Sequence, residues 1–325
     1  NEMEKNYHLA ASEAEKAFND STLFVEKYVS NPKHIEFQII GDKHGNIIHL
    51  GERECSIQRK HQKLIEEAPS SALTPELREK MGEEAIKIAR AVNYFTAGTV
   101  EFLLDADNNF YFMEMNTRIQ VEHPVTEEIT GLDLIELQLL TAAGEALPCK
   151  QEDITLDGWA IECRINAEDV QANFAPYLGT IEKISFPKGK HIRVDTGVED
   201  GSAVTPYFDS MLAKLIVTGD TRAKAIDTAL CALKKIKIKR IKTTIPFCKA
   251  VLNNEAFKNG RFNTAFVQEE MEKTYQQEEF EELMAAYFAA HAYAAEIKMD
   301  KEEYVDYNKG KSLTPWVLNK RLKSV

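Results

Sequence analysis

Residues 113–123, MEMNTRIQVEH, gather several chemically active side chains within one short stretch. Glu114 and Asn116 carry the carboxylate and amide oxygens that Mg²⁺ or Mn²⁺ prefers, above all when phosphate oxygens complete the coordination shell. Arg118 offers a planar fork that fits a carboxylate, a carbonate or a phosphate. Glu122 has the chemistry of a general base, because burial and neighbouring charge tune such a carboxylate. The stretch predicts a site for a metal and a small oxyanion, although a purely structural Arg118–Glu122 ion pair stays open.

The segment before it, GTVEFLLDADNNFYF, predicts two strands, 98–105 and 110–116. If Asp107 and Asn108 form the tip of the hairpin, Phe102 faces Met113 across the two strands.

The same register places Glu101 opposite Glu114, and Asn116 shares their face because it lies two residues further on. Like charges directly opposite each other are destabilising, so a cation between them is the natural solution. The sequence therefore predicts a metal site at Glu101, Glu114 and Asn116. Two solvated glutamates, each paired with a lysine, are the alternative.

A second polar cluster lies in ERECSIQRKHQKLIEEAP, residues 52–69. Basic and amide side chains placed on a loop are able to cradle phosphates or a small anion, although such runs also occur on plain solvated surfaces. The cluster consists of Gln58, Arg59, Lys60, His61 and Lys63.

The remaining elements define three regions, 1–150, 151–268 and 269–325. In the first region, strands are predicted at 21–29 and 34–56, the latter a hairpin that turns at Asp42–Asn46. Helices are predicted from Thr74 to Val92, with Thr74 as the N-cap, and from Asp133 to Ala143, with Asp133 as the N-cap and Gly144 ending the helix. Buried positions on the first of these helices are Leu77, Met81, Ile88 and Val92. In the second region, short strands separated by Gly and Pro predict an antiparallel sheet, and Thr221 opens a helix. An Ala-rich helix is predicted at 278–297, followed by a basic end from Lys309 that contains Trp316.

Composition narrows the class of protein. The net charge of -12 disfavours general nucleic-acid binding. Five scattered cysteines without a CxxC pair favour a reducing compartment, and we expect a cytoplasmic protein. No secretory signal and no apolar run of membrane-spanning length is present in the sequence, so no membrane association is expected.

Taken together, several ordered segments resemble the biotin carboxylase family of the ATP-grasp superfamily over about residues 1–265. The segments are EKYVSNPKHIEFQI, ERECSIQRKHQKLIEEAP, GTVEFL, FMEMNTRIQVEHPVTE, ECRINAED and TPYFDSMLAKLI. The resemblance implies an α+β fold: the C-terminal part of an ATP-grasp domain (an antiparallel sheet with helices), then a biotin carboxylase C-terminal domain with its own antiparallel sheet, then a helical tail. It also implies that ATP activates bicarbonate to carboxyphosphate, which carboxylates biotin held on a carrier protein.

The resemblance implies a role for each matching residue. Glu101, Glu114 and Asn116 match metal-site residues. Glu122 matches the base that deprotonates bicarbonate. Around it, Lys63, Arg118, Gln120 and Val121 match the bicarbonate and biotin site, and Arg193 matches the arginine that steadies the biotin enolate. For the nucleotide, the matching positions are Glu26, Lys27 and Val29 at the adenine, His34 and Gln58 near the ribose, and His61 at a phosphate.

The sequence also departs from the family pattern. The Rossmann-like domain and the lid with its Gly-rich phosphate loop have no counterpart, and the first residues resemble the last helix of the lid. We therefore expect a C-terminal fragment with little or no carboxylase activity by itself. No biotin-acceptor Met-Lys-Met motif occurs, so we expect biotin on a separate carrier protein.

We expect a homodimeric component of an acyl-CoA (acetyl- or propionyl-CoA) carboxylase of fatty acid metabolism. Its expected partners are a biotin carboxyl carrier protein and a carboxyltransferase subunit. Another bicarbonate-activating ATP-grasp ligase, such as the carbamoyl-phosphate type, and a non-catalytic assembly fragment are the alternatives.

Overall fold

The computed structural model describes residues 2–271, and the chain divides into two compact units, Asn1–Val267 and Gln268–Val325. The fold described below is that of the first unit. The predicted helix at 278–297 and the basic end with Trp316 lie outside the described residues.

An eight-stranded antiparallel sheet organises this unit. Its strands are β1 (Lys33–Gly41), β2 (Ile47–Arg59), β3 (Gln62–Ala68), β4 (Thr96–Leu104), β5 (Phe110–Asn116), β6 (Trp159–Asn166), β11 (Ile192–Thr196) and β13 (Met211–Gly219). Their order across the sheet is β11-β13-β6-β3-β2-β1-β4-β5. Short strands complete the set: β7 (Glu168–Asp169), β8 (Ala175–Pro176), β9 (Gly179–Thr180), β10 (Lys183–Ser185), β12 (Ala203–Val204) and β14 (Lys237–Lys239). The α+β fold and the antiparallel pairing after residue 151 are confirmed. Because β3 pairs with β6, the large sheet continues across the predicted division at residue 150, and the three-region division stays a prediction.

Seven α-helices accompany the sheet in the described residues: α1 (Glu2–Phe18), α2 (Pro75–Ala91), α3 (His123–Thr130), α4 (Leu134–Ala143), α5 (Arg222–Lys235), α6 (Ile245–Asn253) and α7 (Glu255–Lys258). A 3-10 turn forms at Gln151–Asp153 and a π-helical turn at Val267–Met271. The predicted N-caps are confirmed, since Thr74, Asp133 and Thr221 each accept a hydrogen bond from a backbone N–H in the first turn of their helix. Gly144 ends α4 with a φ of 98°, as predicted. No helix of the described residues is both long and apolar enough to cross a membrane.

Two sequence predictions for single elements are wrong. Residues 21–29 form no strand, and Phe24, Val25 and Tyr28 are exposed. The next strand in sequence, β1, is paired on both edges with β2 and β4, so it offers this segment no place. Val92 is 63% exposed rather than buried, because α2 ends at Ala91 and Val92 is its C-cap.

The two faces of β1 have different chemistry, and this difference positions the candidate site. Ile35, Phe37 and Ile39 pack with Met81 of α2 in the main apolar core. The alternate residues of β1 point to the opposite face, where Ile40 packs against α4 and where Glu36 is fully buried. A buried carboxylate needs partners, and the neighbouring strands supply them.

Candidate active site

A row of charged residues crosses four neighbouring strands at one level of the sheet. Glu36 on β1 pairs with Arg53 on β2 and with Glu101 on β4, and Glu101 pairs with Glu114 on β5. The Glu101–Glu114 pairing predicted from the sequence is confirmed.

The predicted pairing of Phe102 with Met113 is wrong. Phe102 pairs with Phe112, because the turn begins one position earlier than assumed and a bulge after Glu101 then restores the register.

Arg53 lies at the β2 end of this row and is fully buried. Its guanidinium donates hydrogen bonds to five side chains: Glu36, Gln38 (2.7 Å), Thr99 (3.2 Å), Gln120 (3.0 Å) and Thr126 (3.0 Å). Burial raises the pKa of Glu36, but Arg53 and Lys63 outweigh that effect and lower it to about 2. Sequence reasoning assigned no role to Arg53 or Glu36, although polar residues alternating with Ile35, Phe37 and Ile39 were a signal of a second, polar face.

Lys63 contacts both the predicted metal site and the predicted base. Its Nζ donates to Glu36, to Glu122 Oε1 at 2.6 Å and to Glu101 Oε1 at 3.2 Å. Burial would lower the pKa of Lys63, but the surrounding carboxylates raise it above its ordinary range, so the side chain is a fixed cation. The predicted metal-site residue Glu101 and the predicted base Glu122 are thereby brought together.

Glu122 is buried at the N-terminus of α3, and both of its oxygens are engaged. Oε1 accepts from Lys63, and Oε2 accepts from Arg164 Nη2 at 3.0 Å. Arg118 does not form the ion pair considered for it: it is exposed, and within the described residues its hydrogen bond goes to the Ile119 carbonyl at 3.3 Å. Its guanidinium is therefore open to solvent.

Arg164 on β6 is the arginine that contacts Glu122, whereas Arg193 on β11 contacts α3 further along, at Glu127. Arg193 binds Asp195 at 2.9 Å and Glu127 at 2.7 Å. Burial would lower the pKa of Arg193, but these carboxylates raise it. The role of Arg193 toward biotin stays a prediction. Arg164 received no role from the sequence, although it stands in the quoted segment ECRINAED.

The three predicted metal ligands lie next to one another, because the amide of Asn116 contacts both glutamates. Asn116 Nδ2 donates to Glu101 Oε1 at 2.9 Å and to Glu114 Oε1 at 3.2 Å, so both carboxylates lie within reach of one small group. Glu101 is buried, and burial raises its pKa, but hydrogen bonding to His34 and the charge of Lys63 lower it to about 2. Two carboxylates and an amide are hard oxygen donors that fit Mg²⁺ or Mn²⁺.

Among the described residues, two groups of three side chains have potential metal-ligand atoms within 4.8 Å of one another: His34, Glu36 and Glu101 form one group, and Glu36, Cys55 and Glu122 form the other. The Lys63 ammonium hydrogen bonds to Glu36, Glu101 and Glu122, so a cation already offsets the charge of both groups. These groups are better explained as the surroundings of Lys63 than as metal centres.

Gln120 and Val121 complete the part of the site around Glu101 and Glu122. Gln120 donates to Glu101 Oε1 at 2.7 Å and accepts from Arg53, so its amide is fixed in one orientation. The Val121 carbonyl accepts a hydrogen bond from Lys214 at 2.7 Å.

The residues predicted to contact the nucleotide differ in their burial and do not form one cluster of contacts. His34 is buried with its Nε2 2.7 Å from Glu101 Oε2, and Gln58 pairs with Lys63 at the β2–β3 turn. His61 is exposed in that turn, with a φ of 66°.

The segment predicted to contact adenine lies at β5. Glu26 and Lys27 are exposed and Val29 is half-buried. Lys27 donates to the Tyr111 hydroxyl at 2.8 Å, and its ammonium lies 4.5 Å from the centre of that ring. In the part of the chain that the structure describes, no hydrogen bond joins these three residues to Lys63 or Glu122, and their role stays a prediction.

Comparison with known proteins adds independent information. Residues 1–150 match the family described as "Carbamoyl-phosphate synthase L chain, ATP binding domain", and residues 162–269 match "Biotin carboxylase C-terminal domain". Among curated proteins, the chain is 52% identical to the 2-oxoglutarate carboxylase small subunit of Hydrogenobacter thermophilus, 53% to the biotin carboxylase of Halalkalibacterium halodurans, and 54% to one of the pyruvate carboxylase subunits of Methanothermobacter thermautotrophicus. Each match covers 82% of this chain but only 57%, 59% and 53% of the respective relative.

Solved structures agree with the sequence matches. The biotin carboxylase domain dimer of the H. thermophilus 2-oxoglutarate carboxylase, in complex with MgADP, ADP and bicarbonate, has a TM-score of 0.78 at 52% identity, over 82% of this chain and 58% of that one. The structure described as a biotin carboxylase–beta-gamma-ATP complex from Campylobacter jejuni has a TM-score of 0.78 at 47% identity, over 81% of this chain and 59% of that one.

The fold and the site thus define an ATP-binding domain of the ATP-grasp type followed by a biotin carboxylase C-terminal domain. The chain belongs to the biotin carboxylase domains and spans less than two thirds of the length of the relatives it matches.

Proposed function

We propose that this chain supplies the bicarbonate-activating part of an ATP-dependent biotin carboxylase. The observation that carries the proposal is the position of Glu122 between two fixed cations, Lys63 and Arg164, with Lys63 also bound to Glu101. A base, an oxyanion site and a metal site would then act on one substrate at short range, which lowers the entropic barrier of the reaction.

Each residue has a defined task in this proposal. Glu122 takes the proton of bicarbonate at a carboxylate oxygen, and Lys63 and Arg164 hold that carboxylate in place. Arg118, exposed and in the described residues bound to no carboxylate, is open to receive an oxyanion. Its guanidinium would stabilise the negative charge that develops on carbonate.

Glu101, Glu114 and Asn116 would hold Mg²⁺. The hydrogen bonds of Asn116 Nδ2 to both glutamates support the proximity of the three side chains, and Asn116 would coordinate the ion through Oδ1. When bound, the ion offsets the charge of the nucleotide phosphates during phosphoryl transfer. His34, Gln58 and His61, with Glu26, Lys27 and Val29, would contact the nucleotide.

Biotin on a separate carrier protein is the proposed acceptor of the carboxyl group, with Gln120, Val121 and Arg193 on the biotin side. Residues 162–269 match a biotin carboxylase C-terminal domain, which favours biotin over the carbamoyl-phosphate alternative. A homodimer with carrier and carboxyltransferase partners is part of the proposal, supported by the domain dimer described for the H. thermophilus relative and by relatives named as subunits.

An acyl-CoA is the proposed final acceptor of the intact enzyme. Relatives named for 2-oxoglutarate and pyruvate carboxylation make the 2-oxo acids the competing acceptors. Acetyl-CoA, propionyl-CoA, pyruvate and 2-oxoglutarate, offered in parallel to the assembled carboxylase, distinguish the two classes by which one becomes carboxylated.

The test uses the chain alone and the chain joined to the part of the H. thermophilus relative that it does not cover. Bicarbonate-dependent, biotin-stimulated ATP hydrolysis is expected in the joined protein, with little or none in the chain alone. Glu122→Gln should abolish the turnover, whereas Glu83→Gln, on the exposed surface of α2, should not. A joined, folded protein whose ATP hydrolysis ignores both bicarbonate and Glu122 would refute the proposal and favour an assembly role.

A further inference from the structure

The face of β6 that carries Arg164 also carries a second acidic side chain. Glu162 lies two residues before Arg164 and is the cross-strand partner of Glu66 on β3. Both glutamates are fully buried. Because directly opposite residues of an antiparallel pair project to the same face, the two carboxyl groups are neighbours inside the protein.

The hydrogen bonding of this pair is incomplete. Five buried side-chain polar atoms of the described residues have no hydrogen-bond partner, and three of them are Glu66 Oε2 and both carboxyl oxygens of Glu162. The fourth oxygen of the pair, Glu66 Oε1, accepts from Arg164 Nε at 2.6 Å. Two adjacent buried carboxylates that shared one hydrogen bond would carry a large desolvation cost and repel each other.

The cations nearby do not remove that cost. Lys63 Nζ is bound to Glu36, Glu101 and Glu122, and Lys214 Nζ donates to the Val121 carbonyl. The charged or titratable groups around the pair are Lys63 on β3, Arg164 and Cys163 on β6, Lys214 on β13, Cys55 on β2 and Glu122 at the start of α3. Burial, followed by the charge of Glu66, raises the pKa of Glu162 well above its ordinary value. Burial likewise raises the pKa of Glu66, to about 7.

We propose that Glu162 and Glu66 share one proton, with the Glu162 hydroxyl donating to Glu66 Oε2, and that this pair positions Arg164 on Glu122. The pair then carries a single negative charge, and Arg164 links that charge to Glu122 through two different nitrogens. Loss of the shared proton would place a second negative charge beside Arg164, which would compete with Glu122 for the guanidinium. The catalytic meaning of this arrangement rests on the proposed function, whereas the shared proton does not.

The shared proton is tested on the 325-residue chain without any catalysis. Glu162→Gln keeps the shape of the side chain and a donor to Glu66, but it cannot ionise. A carboxyl group whose pKa is raised on folding loses stability as pH rises above its unfolded value. Urea unfolding gives the folding equilibrium constants of wild type and Glu162→Gln from about pH 5 to 9. The ratio of the wild-type constant to the Glu162→Gln constant should fall by up to about tenfold per pH unit.

Glu168→Gln is the matched control, because Glu168 is buried but accepts hydrogen bonds from Asn166 and Ser210. The ratio of the folding equilibrium constants of wild type and Glu168→Gln should not fall in this way over the same pH range. A Glu162→Gln difference that stays constant with pH, or a Glu162→Gln chain that fails to fold at every pH, would overturn the shared proton.

The positioning role is tested by the pH profile of bicarbonate-dependent ATP hydrolysis in the joined protein described above. Wild type should lose activity on the alkaline side as the pair ionises, and Glu162→Gln should retain activity there. If the activities of wild type and Glu162→Gln fall in the same way at alkaline pH, the positioning role is overturned. Absence of bicarbonate-dependent hydrolysis in wild type would instead count against the proposed function, and the unfolding experiment would still decide the shared proton.

Discussion

Replacement of Arg53 by methionine should destabilise the protein more than most single substitutions. Arg53 is fully buried and donates to five side chains, among them Glu36 and Gln120. Methionine fills much of the volume but leaves every acceptor without this donor. Removal of one partner of a buried ion pair costs about 3–5 kcal/mol, and we expect a loss of about 4 kcal/mol here, because Lys63 remains as the second cation on Glu36.

Urea unfolding followed by circular dichroism measures this loss directly. The matched control is Arg118→Met, since Arg118 is exposed and its hydrogen bond goes to a backbone carbonyl; the free energy of unfolding should change by no more than about 0.5 kcal/mol. A loss below about 1 kcal/mol for Arg53→Met, or equal losses for the two variants, would refute the view that this guanidinium organises the buried face.

Three further predictions concern stability and use the same unfolding assay. Gly82→Ala should cost about 1–3 kcal/mol, because a Cβ there would lie 2.7 Å from His49 Cδ2 in a packed region; a neutral result would contradict that packing. Glu101, whose pKa is lowered on folding from 4.5 to about 2, should contribute on the order of 3 kcal/mol above pH 4.5, and this contribution should be lost as pH falls toward 2. The difference between wild type and Glu101→Gln should therefore shrink over that range, and a constant difference would count against the lowered pKa. Thr74→Ala should cost about 1 kcal/mol, because it removes the side-chain acceptor of the Leu77 N–H at the start of α2, and an unchanged midpoint would mean that the cap contributes nothing.

The sequence was sufficient for features set by local chemistry. Thr74 and Asp133 cap helices as predicted, and the position of the β4–β5 turn was close enough to place Glu101 opposite Glu114. The bulge that displaced Phe102 has no local signal, yet it also restored the pairing of the two glutamates.

The sequence did not predict the features that depend on pairing between strands far apart in the chain. Glu122 is bound by Arg164, 42 residues away, only because β6 enters the same sheet as β3. The burial of Arg53 depends in the same way on Thr99, Gln120 and Thr126 from other elements. The strand predicted at 21–29 also needed a pairing partner that local sequence does not reveal: β1 is occupied on both edges, and no described strand pairs with the segment.

The proposed function requires that acidic side chains of β4 and β5 hold a divalent ion next to the Lys63–Glu122 pair. Titration of the chain with Mn²⁺, followed by electron paramagnetic resonance, tests it most directly. Glu114 is exposed and in the described residues hydrogen bonds with Asn116, so Glu114→Gln should leave the fold intact. We expect one Mn²⁺ site in the wild type that Glu114→Gln weakens by about tenfold or more, whereas Glu83→Gln should leave it unchanged. Equal Mn²⁺ binding by wild type and Glu114→Gln would contradict it.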